Sequence, residues 1–178
     1  MFHPEIYRQL AFNQSPQARF DSGYWSDILP GVPGTVEKTT NNAFGLEQEY
    51  GVMVALWEAG FSYCPQPIAL ENEGDTIVMG EIVYGAQLVE VLDLYQAGSI
   101  PRLLVLHLLD QLRDVLIRFW ATGFAHGDLH GRNLLVGIDG EKNWRVWLID
   151  FGQAKRGGDQ SADQQRVAAT LASYGFEF

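Results

Sequence analysis

The sequence His126-Gly127-Asp128-Leu129-His130-Gly131-Arg132-Asn133 decides how the rest of this 178-residue chain is interpreted. It holds an Asp and an Asn five residues apart, and a second acidic residue follows in Asp150-Phe151-Gly152. The stretch between the two segments reads as a pair of strands, 134–136 and 146–149, around an Asp-Gly turn. We therefore expect both polar segments to lie at strand ends and to face one site.

These residue types match the requirements of phosphoryl transfer from a nucleotide. The reaction needs the phosphate charge neutralised, the acceptor hydroxyl held in line and its proton accepted. Asp128 is suited to orient the hydroxyl and accept the proton, whereas Asn133 and Asp150 offer the oxygen ligands that magnesium prefers. His126 is expected to brace the loop. Each Asp alone could equally cap a turn, so the prediction depends on the joint spacing.

Charge limits the classes of partner. The chain has 12 Lys and Arg against 22 Asp and Glu, a formal net charge of -10. This balance argues against direct binding to nucleic acid. It is compatible with a cationic acceptor, and the alternative is that acidity serves solubility alone.

The chain also carries signals of its compartment. Cys64 is the only cysteine, so neither an intramolecular disulfide nor a cysteine metal cluster is expected. We find no leader-like N-terminus and no apolar run of membrane-spanning length. The expectation is a cytoplasmic protein without membrane contact.

The first half predicts a small antiparallel sheet with pieces near 18–22, 25–29 and 35–40, after a short helix at 4–12. Residues 21–28 have the outline of a phosphate-covering loop, in which Gly23 is the retained glycine and Asp21 and Ser26 stand where two others are usual. Lys38, ten residues on, could reach the phosphates. The alternatives are an ordinary hairpin and a solvated strand lysine.

A helix over 43–59 is predicted to pack on this sheet, and Gly60 is placed to end it. Glu47 and Glu49 lie on opposite flanks of its apolar stripe, so helical geometry allows either to turn toward Lys38. The stripe consists of Leu46, Tyr50, Met53, Val54 and Trp57.

The remaining elements follow from apolar periodicity and from Gly and Pro. Strands are expected at 68–70 and 76–79, with a hinge at 80–82 where backbone groups could meet an adenine edge. Three helices are expected at 86–96, from Pro101 to Thr122, and at 159–174, the second of them broadly apolar and buried. Residues 155–158 read as a loose connection.

At these residues the chain resembles the protein kinase-like superfamily, over roughly 20–155. The loop HGDLHGRNLLV is most similar to aminoglycoside and choline phosphotransferases, RIO kinases and the small kinase subunit of the tRNA threonylcarbamoylation complex. The resemblance implies an α+β, bilobal fold within a single domain. Its antiparallel-sheet N-lobe would span about 1–80 and its shortened helical C-lobe about 81–178. The implied cofactors are ATP and Mg²⁺.

The resemblance also implies roles for individual residues. Asp128 would be the catalytic Asp, Asn133 and Asp150 the magnesium ligands, and Lys38 the phosphate-contacting lysine. The spacing to Gly60 favours Glu49 over Glu47 as the partner of that lysine. The nucleotide contacts would come from Gly23, Ser26, Ile28, Val36, Lys38, Met79 as gatekeeper, Glu81, Ile82 and Leu135.

Two departures from the family pattern shape the functional expectation. Gly127 replaces the Arg that lets regulated kinases respond to a phosphorylated activation segment. Only 26 residues follow Gly152, too few for the large helical subdomain that often forms an acceptor pocket. The expectation is a minimal atypical serine/threonine protein kinase with a protein substrate or activating partner. The alternatives are a small-molecule kinase and a pseudokinase that serves as a nucleotide-binding scaffold.

Overall fold

A four-stranded antiparallel sheet opens the structure, a computed structural model that describes residues 26–40, 46–82, 86–138 and 143–178. The strands lie in the order β1, β2, β4, β3. Gly34, in the turn between the first two strands, has φ +86°, a conformation open to glycine without strain. The predicted sheet is confirmed for these strands, whereas the helix at 4–12 and the strand at 18–22 lie outside the described residues. The four strands are β1 (Ser26–Pro30), β2 (Thr35–Thr40), β3 (Pro67–Glu71) and β4 (Thr76–Gly80).

Helix α1 (Glu47–Glu58) contacts β3 and the turn at Phe151–Gln153. Its buried residues are at 49, 52, 53 and 56, the i, i+3, i+4, i+7 pattern of one helix face. The predicted stripe is confirmed for Leu46 and Met53, which are buried, and for Tyr50 and Trp57, which are half-buried and pack against the core. Val54 is half-buried without belonging to that core cluster. The buried face also includes a charged residue, Glu49.

Between the first sheet and the loop at 126–133, called the catalytic loop here for its predicted role, lie β5 (Ala86–Gln87), α2 (Leu88–Gln96), α3 (Arg102–Ala121) and a short strand, β6 (Phe124–Ala125). The predicted helix at 86–96 begins two residues late, because its first two residues pair as a strand with β7 (Leu134–Ile138). Pro101 directly precedes α3, as predicted.

A second sheet supports the catalytic loop. In it β7 pairs antiparallel with β8 (Trp144–Leu148), which confirms the predicted strand pair, and β5 adds a third strand. Side chains along β8 alternate between buried and half-buried, and β8 contacts α3. The predicted turn at Asp139-Gly140 lies outside the described residues.

The segment after Asp150 is more ordered than the sequence predicts. The loose connection expected at 155–158 is wrong, because β9 (Lys155–Arg156) pairs antiparallel with β6 (Phe124–Ala125). The predicted final helix is confirmed as α4 (Gln160–Ala172), and the Asp159 side chain caps its first turn.

Helix α3 differs from its prediction in burial. The expectation of a broadly apolar and buried helix is wrong for Leu103, which is 80% exposed, and for Leu106, which is 39% exposed. Among the described elements, α3 packs against β8, α2 and β6. Its buried residues are Val105, Leu108, Leu109, Leu112, Val115, Leu116 and Phe119.

In the described residues the architecture matches the predicted α+β class: a small antiparallel sheet with helix α1, followed by a largely helical part. Within the described residues, no helix is both long enough and apolar enough to cross a membrane.

Candidate active site

Lys38 on β2 lies between two carboxylates from distant parts of the chain. Its Nζ is 2.9 Å and 2.7 Å from the two carboxylate oxygens of Glu49 on α1, and 2.9 Å from Oδ1 of Asp150. Lys38 and Glu49 are buried, whereas the side chain of Asp150 is 49% exposed. Helical geometry left Glu47 and Glu49 as alternatives, and the family resemblance favoured Glu49. The structure brings Glu49 to the lysine and leaves Glu47 exposed.

Burial and charge act against each other in this trio. Burial would lower the pKa of Lys38, but Glu49 and Asp150 outweigh it, so this pKa lies above its ordinary value. Burial would raise the pKa of Asp150, but the Lys38 ammonium holds it below its ordinary value. For Glu49, burial prevails over the attraction of Lys38 and raises the pKa. Lys38 is thus a fixed positive charge next to an ionised Asp150.

Asp150 begins a tight turn that contacts α1. Its backbone is left-handed, with φ 64° and ψ 70°, a conformation that Asp tolerates better than most residues. From α1, Gln48 Nε2 lies 3.2 Å from the Gly152 carbonyl oxygen and 3.4 Å from that of Ala154. The Asp-Phe-Gly turn is therefore connected to the same helix that carries Glu49.

The catalytic loop brings Asp128 and Asn133 together. The Asn133 side chain donates through Nδ2 to the backbone carbonyl of Asp128 at 2.9 Å. The backbone carbonyl of Asn133 accepts from the amide of Ile149 at 3.1 Å. The loop is thus joined to the residue just before Asp150. On the Asp128 side chain, which is 46% exposed, Oδ2 lies 3.6 Å from His130 Nε2.

His126 braces the loop from below, as predicted. Its ring is buried between Phe119 and Phe151, with centroid distances of 6.2 Å and 5.2 Å. Its Nε2 lies 2.9 Å from the carbonyl oxygen of Ile149, so in the tautomer that this contact requires it donates there. Burial lowers the pKa of His126, which keeps the ring neutral.

Helix α4 supplies two contacts that the sequence reading missed. Asp163, fully buried, accepts from the amides of His126 at 2.6 Å and Gly127 at 3.0 Å. Arg166 Nη1 donates to the Gly127 carbonyl and lies 3.5 Å from Oδ1 of Asp128. The burial of Asp163 could have been predicted, because it lines up with the apolar residues Val167 and Leu171, four and eight positions later. No sequence pattern distinguished Arg166.

The residues predicted to surround the nucleotide are only partly connected by direct contacts. Val36 on β2 lies opposite Met79 on β4, and Ile28 on β1 lies opposite Lys38. The Glu81 amide, in the predicted hinge, donates to the carbonyl of Gly34 at 3.0 Å.

The other nucleotide-side predictions are placed as follows. Leu135 is half-buried on β7, in the second sheet, and Ile82 is half-buried just after β4. Ser26 is the first residue of β1, and Gly23 lies outside the described residues.

The donor set suits magnesium. In the described part of the chain, no three His, Cys, Asp or Glu residues are grouped closely enough to hold a metal by themselves. Asn133 binds the Asp128 carbonyl through its nitrogen, which leaves its amide oxygen for another partner, and Asp150 meets Lys38 through Oδ1. A carboxylate and an amide oxygen completed by phosphate oxygens are ligands typical of Mg²⁺.

The small sheet, the buried lysine–glutamate pair and the Asp-Phe-Gly carboxylate beside it are those of a protein kinase-like domain. Within this class the chain belongs to the RIO domain family, whose sequence pattern matches residues 37–165. Members of this family are atypical kinase-like enzymes that generally use ATP and Mg²⁺. No curated protein matches the chain. The matched stretch includes Lys38, Glu49, Asp128, Asn133, Asp150 and Asp163 and ends one residue before Arg166.

Proposed function

We propose that this chain is an ATP- and magnesium-dependent phosphotransferase, and specifically a minimal atypical serine/threonine protein kinase. The observation that carries the proposal is the contact of Lys38 with both Glu49 and Asp150. Asp128 and Asn133 lie on a loop joined to the residue before Asp150. A fixed cation, a metal-binding carboxylate and a base candidate are the parts that phosphoryl transfer requires.

The chain's residues divide the chemistry between them. Lys38 would bind phosphate oxygens of ATP, and Asn133 and Asp150 would hold magnesium, which supplies further positive charge when bound. Asp128 would orient the acceptor hydroxyl and take its proton. The bond from the acceptor oxygen to the γ-phosphorus forms as the bond from that phosphorus to the β–γ bridging oxygen breaks, and ADP leaves.

We favour a protein hydroxyl as the acceptor because Asp128 is not enclosed. Nearly half of its side chain is exposed, which leaves room for a large acceptor. A cytoplasmic location and an activating protein partner belong to the same proposal, and they rest on the sequence expectations alone.

The test compares ADP formation and transfer of radiolabel from γ-labelled ATP in the wild type and in Asp128→Asn and Asp150→Asn. General base catalysis contributes about 100- to 10,000-fold, so Asp128→Asn should lose at least about 100-fold in turnover. In Asp150→Asn the rate of ADP formation should fall, and the rate that remains should no longer depend on magnesium. Asp110→Asn, which removes an exposed carboxylate on α3, is the matched control and should not change the rate.

The readouts separate the three candidate activities. Label on casein or on the chain itself supports a protein kinase, whereas ADP release that depends on hydroxylated metabolites, without protein labelling, would indicate a small-molecule kinase. Stabilisation by ATP without ADP release would identify a nucleotide-binding scaffold. Equal labelling by the wild type and both active-site variants would refute the assignment of these residues.

A further inference from the structure

Helix α4 presents one face to the catalytic loop. Asp163, Arg166 and Thr170 are spaced i, i+3 and i+7, which places them on the same side of the helix. Asp163 accepts two amides of the loop, and the Thr170 methyl packs under Gly131, where an added Cβ would lie 2.9 Å from it. The loop is therefore supported by α4 at several points.

Arg166 differs from its two neighbours because it reaches the reacting residue. Its Nη1 donates to the carbonyl of the peptide that joins Gly127 to Asp128, and the same atom is 3.5 Å from Asp128 Oδ1. Arg166 thus contacts both the peptide group that precedes Asp128 and the carboxylate of Asp128. The two carboxylate oxygens have different neighbours, since Oδ2 lies near His130.

We infer that Arg166 is a positioning residue that sets the direction of the Asp128 carboxylate. It holds Oδ1 and fixes the preceding peptide plane. Oδ2 is then the oxygen that takes the proton from the substrate hydroxyl. The inference rests on the proposed function of Asp128. Arg166 lies just outside the stretch matched by the RIO family, so the family match does not assign this role.

A purely structural role fits Arg166 less well. Its side chain is 47% exposed, and exposed ion pairs contribute little to folding stability. The turn that it contacts is already held by Asp163, which accepts from the amides of His126 and Gly127. What Arg166 adds is orientation of the carboxylate, and catalytic rates are sensitive to small errors in orientation.

The test measures kcat for ADP formation, KM for ATP and the thermal midpoint in the wild type, Arg166→Gln, Arg166→Lys and Arg118→Gln. In Arg166→Gln we expect kcat to fall by about 10- to 100-fold, with KM and the midpoint unchanged. Arg166→Lys should recover part of kcat, because a single nitrogen makes both contacts. Arg118→Gln removes an exposed cation paired with Asp114 and should behave as the wild type.

The outcomes are distinct. An unchanged kcat in Arg166→Gln overturns the inference and leaves the proposed function standing. A fall in kcat together with a lowered thermal midpoint, without recovery in Arg166→Lys, would show a merely structural role and also overturn the inference. Absence of ADP formation by the wild type refutes the proposed function, and the role of Arg166 with it.

Discussion

Lys38 contacts two carboxylates at once, and substitution can separate their contributions. Glu49→Gln removes the buried partner and leaves Asp150, so Lys38 keeps one counter-ion. Loss of a charged hydrogen bond in a buried setting should lower the free energy of unfolding by about 1–3 kcal/mol. The position of Lys38 would loosen, and KM for ATP should rise.

The matched control is Glu47→Gln, the same change two residues earlier on the exposed side of α1. It should leave both quantities unchanged. Urea denaturation and steady-state kinetics provide the two measurements. A larger effect from Glu47 than from Glu49 would contradict the pairing seen in the structure.

His126 should make stability depend on pH. Burial holds its folded-state pKa below the ordinary histidine value of about 6.5. As pH falls below that value, the unfolded chain binds a proton that the folded chain does not, so the free energy of unfolding decreases. The raised pKa of Glu49 acts in the opposite direction, so the contribution of His126 must be isolated by comparison.

The comparison is with His126→Gln, which cannot titrate. Denaturant unfolding between about pH 8 and 5 should show a steeper loss of stability toward acid in the wild type than in the variant. The slopes are compared, because the substitution itself changes the absolute stability. Parallel pH profiles would show that His126 titrates alike in the folded and unfolded chain.

At the scale of elements, α4 is a support for the catalytic loop. Asp163→Asn keeps one oxygen for the amides of His126 and Gly127 but turns an NH₂ group toward the other amide. We expect a loss of about 2–3 kcal/mol in the free energy of unfolding, since hydrogen bonds to charged groups contribute about this much. Turnover should fall as well, because Asp128 follows those amides directly.

Asp159→Asn is the matched control in the same helix. Asn caps a helix as well as Asp does, so stability should change by only a few tenths of a kcal/mol. Chemical denaturation of both variants checks the pair. Similar losses in the two would indicate that α4 matters only through its own stability.

Local patterns predicted the elements well, and contacts between elements were the source of the errors. The strand pair β7–β8 and helices α1 to α4 follow from apolar periodicity and from Gly and Pro, which act within a few residues. The exposure of Leu103 on α3, the β6–β9 pair and the role of Asp163 depend on which distant segment lies opposite. A short stretch of sequence does not show which distant segment lies opposite. The exception is Asp163, an acidic residue in line with the buried apolar residues of α4.

The site residues divide in the same way. Asp128, Asn133 and Asp150 were predicted because their spacing carries the chemistry, and Lys38 by its place in a strand. Helical geometry alone could not choose Glu49 over Glu47, because it allows either carboxylate to reach the lysine. The family resemblance favoured Glu49, and the tertiary structure shows the contact. Arg166 could not be predicted, since an arginine on a helix surface has no distinctive pattern.

For the whole molecule, the site joins the small sheet to the helical part. Lys38 on β2 and Glu49 on α1 meet Asp150, and Gln48 meets the carbonyl groups after it. A nucleotide that bound both Lys38 and the residues near Asp150 would strengthen this connection. Ligand binding should therefore appear as stability of the whole fold.

Thermal unfolding with ATP and magnesium measures that coupling. At about 100 times Kd, ligand binding adds ~2.7 kcal/mol, which corresponds to a rise of roughly 5–10 °C in the midpoint for a chain of this size. With ATP and a chelator the rise should be smaller, because the phosphate charge then faces Asp150 without the metal. Asp150→Asn should show a similar rise with and without magnesium, since the variant lacks the anionic metal ligand, whereas Asp110→Asn should retain the wild-type difference. A wild-type shift that does not respond to magnesium would contradict the metal site, because Asn133 alone cannot supply a negative charge to hold the ion.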